Sequence, residues 1–229
     1  MGYTEVASVV DIANVADPLG DEFHDEMLAE LKDRVSPKRL KHILGVSDTA
    51  AMLARVYGCD ERKARLAGLL HDWDKGLDDD QIRQRVRDLG IEEQVGPWVV
   101  ENMPQVLHGP TASVALAREH PDIPDDVIQA IYRHTTGALD MSDLDKVIYV
   151  ADAIEPGRDF DGLEGLQDDV GRVTLDELFF EVYKFWTLAL VRNDRVLHPD
   201  TIPVWNAYVA SRLKPGKHGK RKRKGGRND

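Results

Sequence analysis

The stretch ERKARLAGLLHD, residues 61–72, decides the fold. Its leucines, Leu66, Leu69 and Leu70, recur at the three- and four-residue spacing of one helix face, and Asp60 stands ahead of them as an N-cap. That apolar face runs directly into His71 and Asp72, so a buried helix delivers an imidazole and a carboxylate at its end. Upstream, Ser36 and Pro37 open a helix through Tyr57 that contains His42, with Leu40, Ile43, Leu44, Leu53 and Val56 available for its buried stripe and Gly58 as its stop. Before it, DEMLAELKDRV reads as a first short helix. Downstream, Asp78–Asp80 start a polar helix ending at Gly90, and a shorter one follows Pro97. Pro110 starts a helix with His108 at or just before its N-terminus, and Pro124 starts another that carries His134 in its last turn. Ser142 with Asp145, and Thr174 with Glu177, are capping boxes for two further helices, the first of which contains Asp152. A last helix is expected near 203–213. No stretch alternates with period two, so the fold class is all-α.

At 229 residues the chain is long enough for one large domain. The expected division is a loose leader over 1–22, a catalytic domain over 23–212 and a basic tail over 213–229. Hydrophobic residues make up 42% of the chain, yet no apolar run approaches the roughly 18 residues a membrane span needs, so none is expected. The N-terminus lacks a basic region leading into an unbroken apolar stretch, which makes the cytoplasm the expected location. A lone cysteine, Cys59, excludes an internal disulfide framework. The net charge of −11 is unevenly spread: nine basic residues against one acid from Arg212 to Asp229 give +8 and leave −19 for residues 1–211. An acidic body argues against broad nucleic-acid binding by the domain. The tail is read either as a weak contact for RNA or another anionic surface, or as a solubilising segment.

Four of the eight histidines, His42, His71, His108 and His134, fall at helix ends or on apolar faces, and Asp152 sits in the apolar YVADAIE. Any one of them alone is more often a hydrogen-bonded core residue than a ligand. Together they form a set of imidazoles and carboxylates of the kind that binds iron, manganese or zinc, and a metal would offset the cost of burying Asp152. Trp73 reads as core or, alternatively, as the wall of a base pocket; the cluster Phe179, Phe180, Phe185 and Trp186 reads as core or a dimer interface; and Asp74, Asp78, Asp79 and Asp80 read as a solvated loop and helix start, with a ligand role as the alternative.

The order His42, His71–Asp72, His108, His134, Asp152 resembles the H...HD...H...H...D signature of two-metal HD-domain phosphohydrolases. More narrowly, HILGVSDTAAMLA, LAGLLHDWDK, VLHGP and HTTGALDMSDLDKVIYVADAIEPGR resemble the YqeK-like symmetrical bis(5'-nucleosyl)-tetraphosphatases. That resemblance implies an HD-domain helical bundle that cleaves diadenosine tetraphosphate to two ADP through a two-metal-activated water. It implies two divalent or trivalent transition-metal ions, iron first, with manganese or another first-row metal as the alternative. His42, His71, Asp72 and Asp152 would hold one ion, and His108 and His134 the other, with Asp72 bridging. Lys75 of HDWDK would sit near a phosphate, as a catalytic or binding group; Arg133, Thr135 and Arg158 are further candidates for substrate contact. A homodimer is also implied. Thr111, Ser113 and Arg133 depart from the family pattern, which bears on substrate fit more than on metal binding. An HD hydrolase of another nucleotide or phosphoester, a two-iron HD oxygenase, and a non-catalytic nucleotide- or RNA-associated module are the competing readings.

Overall fold

Capping chemistry sets most of the helix boundaries. In the computed structural model, which describes residues 17–212, there are twelve α-helices and no strand among the described residues. They are α1 (Asp21–Arg34), α2 (Pro37–Tyr57), α3 (Glu61–Leu70), α4 (Asp79–Leu89), α5 (Glu92–Val95), α6 (Pro97–Asn102), α7 (His108–Glu119), α8 (Asp125–Arg133), α9 (Asp143–Ile154), α10 (Leu163–Asp168), α11 (Leu175–Arg192) and α12 (Thr201–Arg212), with a 3₁₀ turn over Pro104–Val106. Ser36 accepts from Arg39 N, Asp60 accepts from Arg62 N and Lys63 N, and Asp78, Ser142 and Thr174 each close a reciprocal capping box. Each cap satisfies amide donors that the helix itself leaves free. The all-α expectation is borne out. Helix α1 begins at Asp21, inside the expected leader; most of that leader, and the basic tail, lie outside the described residues.

Helices α2, α3, α8 and α9 pack on one another, with α7 laid on α8 and α11 on α9. Helix α9 is buried around nearly its whole circumference from Leu144 to Ile154, which makes it the central rod. Helix α11 anchors through Leu178, Phe179 and Val182, all fully buried and each contributing roughly 1.5–3 kcal/mol of apolar burial. The close crossing of α2 and α3 depends on Gly68: a Cβ there would come within 2.8 Å of Ser47 Cα. The buried stripe of α2 runs through Ile43, Val46, Ala50, Leu53 and Ala54, whereas Val56 is exposed, because Tyr57 rather than Val56 continues the face. Helices α4 to α7 enclose a second, smaller cluster around Val86, Val99 and Leu107. No helix among the described residues is long and apolar enough to cross a membrane.

Candidate active site

The helix ends converge. His71 is the C-cap of α3 with Asp72 next to it, His108 is the first residue of α7, His134 is the C-cap of α8, His42 lies in the second turn of α2 and Asp152 in the last turn of α9. Asp72 occupies the centre. Its Oδ2 lies 3.4 Å from His71 Nε2 and 3.9 Å from His42 Nε2, and its Oδ1 lies 3.2 Å from His108 Nε2 and 3.9 Å from His134 Nε2. Asp152 Oδ1 is 3.0 Å from His42 Nε2 and 3.8 Å from His71 Nε2. All six side chains named from the sequence are thus brought together, and three overlapping groups of their donor atoms each lie within 4.8 Å.

The opposite edge of every ring is already engaged. His71 Nδ1 donates to Gly68 O at 2.7 Å, His108 Nδ1 to Gln105 O at 2.9 Å and His134 Nδ1 to Ile131 O at 2.7 Å, while His42 Nδ1 faces Glu155 Oε1 at 3.0 Å. A carbonyl or carboxylate oxygen only accepts here, so each Nδ1 carries a proton and Nε2 is the nitrogen that each ring turns to the centre, where it can bind an ion. His108 Nε2 and His134 Nε2 face each other at 3.1 Å, and the buried Nε2 atoms of His42 and His71 have no hydrogen-bond partner. Facing lone pairs repel unless a cation lies between them. Two ligands each about 2.1 Å from one ion and at right angles to it stand about 3 Å apart, which matches the closest of these separations. Nδ1 anchored on carbonyl or carboxylate is also the usual arrangement of a metal-bound histidine. The donor set therefore fits divalent metal ions.

The charges agree with that fit at His134, His108 and both carboxylates; burial works to lower His71 as well, but Asp72 outweighs it and raises that ring, which would give up a proton to an ion. Burial, then the neighbouring His108 and His71, push His134 down to about 3, so the ring is neutral at ordinary pH. Burial also lowers His108, against the pull of Asp72. Burial works to raise both carboxyls, but His71 and His108 outweigh it at Asp72, and His42 and Arg158 outweigh it at Asp152; both are held well below the usual carboxylate range. Lys75 is lowered, chiefly by burial.

Around the cluster the candidate substrate residues separate. Thr135 Oγ1 is 3.0 Å from His134 Nε2, and Lys75 Nζ is 3.3 Å from His108 Nδ1 and 3.4 Å from Gln105 O. Arg158 pairs with the Asp152 carboxylate and donates to its carbonyl at 2.9 Å. The structure does not bring Arg133 into this group: its guanidinium holds the buried Asp145 at 2.9 Å and Asp140 at 3.1 Å, tying α8 to the start of α9. Two further residues that contact the cluster escaped the sequence reading. Arg39 donates to Asp72 Oδ2 at 2.9 Å, and buried Glu155 orients His42 while accepting from Gly157 N at 2.6 Å. Asp74, read as a solvated loop residue, is buried between Arg34 and Arg85, and Trp73 is core, fully buried beneath Arg34. A cavity of about 770 Å³ opens beside His134, Thr135 and Asp152, walled by Tyr149, Tyr183 and Trp186. Trp186 is thus cavity wall as well as packing.

Comparison with known proteins agrees with this arrangement. The HD domain family model matches residues 39–157. A symmetrical bis(5'-nucleosyl)-tetraphosphatase of Staphylococcus aureus is 34% identical over 77% of this chain and 90% of its own length. Its Bacillus subtilis counterpart is 30% identical over 81% and 97%. Among solved structures, a predicted HD superfamily hydrolase involved in NAD metabolism from Clostridium acetobutylicum superposes with a TM-score of 0.75 at 35% identity, covering 82% of this chain and 97% of that one. Matches spanning nine-tenths or more of each relative cannot come from a shared fragment on an unrelated frame: the chain belongs to the HD-domain family, within the group of symmetrical bis(5'-nucleosyl)-tetraphosphatases.

Proposed function

We propose that this protein is a metal-dependent hydrolase that cuts diadenosine tetraphosphate at its middle to give two ADP. The observation that carries the reading is the set of four Nε2 atoms and two ionised carboxylates facing one centre, with every Nδ1 anchored behind it; the named activity of the relatives supplies the substrate. His42, His71, Asp152 and Asp72 Oδ2 would hold one ion; His108, His134 and Asp72 Oδ1 would hold a second. Iron is the first choice and manganese the alternative, since mixed imidazole and carboxylate donors suit both. Bound there, such ions supply positive charge for phosphate oxygens and make water more acidic at neutral pH.

The chain's own groups do the rest. Lys75 and Arg158 stand beside the ligands as cations for the phosphate chain, and Arg158 also fixes the Asp152 carboxylate. The Thr135 hydroxyl, next to His134 Nε2, is placed to donate to a phosphate oxygen. Tyr149, Tyr183 and Trp186 offer apolar surface for a base and keep water from that side of the phosphates. Arg39, Lys75 and Arg158 around one cluster answer a polyanion rather than an uncharged substrate, which favours phosphoester hydrolysis over a two-iron oxygenase. A homodimer and a contact of the basic tail with RNA are secondary proposals, tested by light scattering and by RNA binding with and without the tail.

Product analysis in heavy-oxygen water tests the main reading. ADP alone, with one label per product pair, is expected; AMP with ATP, or no hydrolysis by metal-loaded protein, overturns it.

A further inference from the structure

Two cavities reach the cluster. The aromatic one, about 770 Å³, opens at its His134 end, and a second of about 980 Å³ opens at its His42 end. Both volumes are in the range of small-ligand sites, and Arg158 is the residue common to their linings. The second is chemically distinct. Four cations, Lys38, Arg39, Lys41 and Arg158, line it in a body whose net charge is strongly negative. Of its three acids, Glu155 is already held by His42 and Gly157, and of its four cations Arg39 and Arg158 already pair with Asp72 and Asp152 at the cluster edge, so the charges free to meet an anion are Lys38 and Lys41 on the rim, with Asp48 and Asp159 beside them. Met52 and Phe160, 37% and 48% exposed, add apolar surface beside these cations. Cations next to exposed apolar side chains are what a nucleotide, with its anionic chain and flat base, requires.

We propose that the second cavity is a nucleotide half-site, so that the two nucleosides of one dinucleoside tetraphosphate occupy the two cavities and the phosphate chain crosses between them at Arg158. This rests on the hydrolase reading above and adds to it the source of the symmetric cut. With a half-site on each side, the bond held over the cluster is the middle one. With one half-site alone, the cut would be measured from a single end and the far nucleotide would go unread. Arg39 belongs to both parts of the site, since its guanidinium touches Asp72 and lines the second cavity.

Calorimetric titration of the manganese-loaded full chain tests this, using ADP and a methylene-bridged, uncleavable dinucleoside tetraphosphate. ADP is expected to saturate two sites per chain and the analogue one. Lys38→Gln combined with Lys41→Gln, both exposed on the rim, should weaken the analogue roughly tenfold and abolish the weaker ADP event while the stronger persists. Met52→Trp, which fills the cavity without changing charge, should do the same and so separates contact from long-range attraction. A single ADP per chain in the parent protein, or analogue affinity unchanged within about twofold in both variants, overturns the half-site. Hydrolysis of the natural tetraphosphate is assayed in parallel. Cleavage to ADP with only one ADP site ends the half-site alone, whereas neither binding nor cleavage ends the hydrolase reading with it.

Discussion

Asp72 is the residue on which the cluster turns, because its two oxygens face different histidine pairs. Asp72→Ala should therefore lower metal content and reduce kcat by at least about a hundredfold, read by elemental analysis and ADP release; a folded variant with parental turnover would refute the assignment. Glu155→Ala removes the acceptor that orients His42, and metal affinity should fall about 10- to 100-fold, with activity recovered in excess metal. The six clustered side chains were legible because each is an imidazole or carboxylate in an apolar context. Glu155 and Arg39 were not: a carboxylate before Pro156 and a basic residue in a first turn look like ordinary helix-end charges, and only the fold carries them to His42 and Asp72. Acid sensitivity follows from His134. Unfolded, it titrates near 6.5; folded, it is pushed down to about 3, so between those values the unfolded chain takes up a proton that the folded chain refuses. Its contribution is complete above about pH 6.5 and is lost progressively as pH falls toward 3. The Tm of chelator-treated protein should drop between pH 7 and 4.5, and His134→Gln should flatten that slope.

Among the elements, the crossing of α2 with α3 fixes where His42 stands relative to His71 and Asp72. Gly68 lets the two backbones meet, and its carbonyl also holds His71 Nδ1. A side chain there must push α2 away, since the obstacle is Ser47 backbone rather than a flexible side chain. Gly68→Val should cost about 1–3 kcal/mol in urea unfolding and weaken metal binding along with stability. Long helices with caps were readable from the sequence: Ser36–Pro37, Asp60, Asp78, Ser142 and Thr174 act as the caps their residue types announce. Helices α5 and α10 were not, because four and six residues are too few to show a 3.6 period. Asp74 shows the same limit. An acid in a loop reads as solvated until the arginines from α1 and α4 that bury it are seen beside it.

At the scale of the whole molecule, a tetraphosphate must approach a surface that repels it and then enter a site that attracts it. The two effects have different ranges. The repulsion is a sum over many carboxylates and is screened beyond a Debye length of about 10 Å at 0.1 M salt, whereas Lys75, Arg39 and Arg158, partly buried at the cluster, would act on the proposed phosphate chain at contact distance, where screening is weaker. The basic tail lies outside the described residues, but its charge enters the sum. Removing residues 214–229 deletes eight basic residues and Asp229, taking the chain from −11 to −18. Because the tail carries none of the six clustered side chains, a chain ended at Leu213 should keep its kcat. Its KM for the tetraphosphate should rise about two- to fivefold near 20 mM salt and return to the full-length value near 300 mM, where screening removes the difference between the two net charges. Steady-state kinetics at the two salt concentrations decide the point. A fall in kcat, or a KM difference that persists at high salt, would mean that the tail reaches the site and contacts the substrate there, rather than acting through the field of the whole chain.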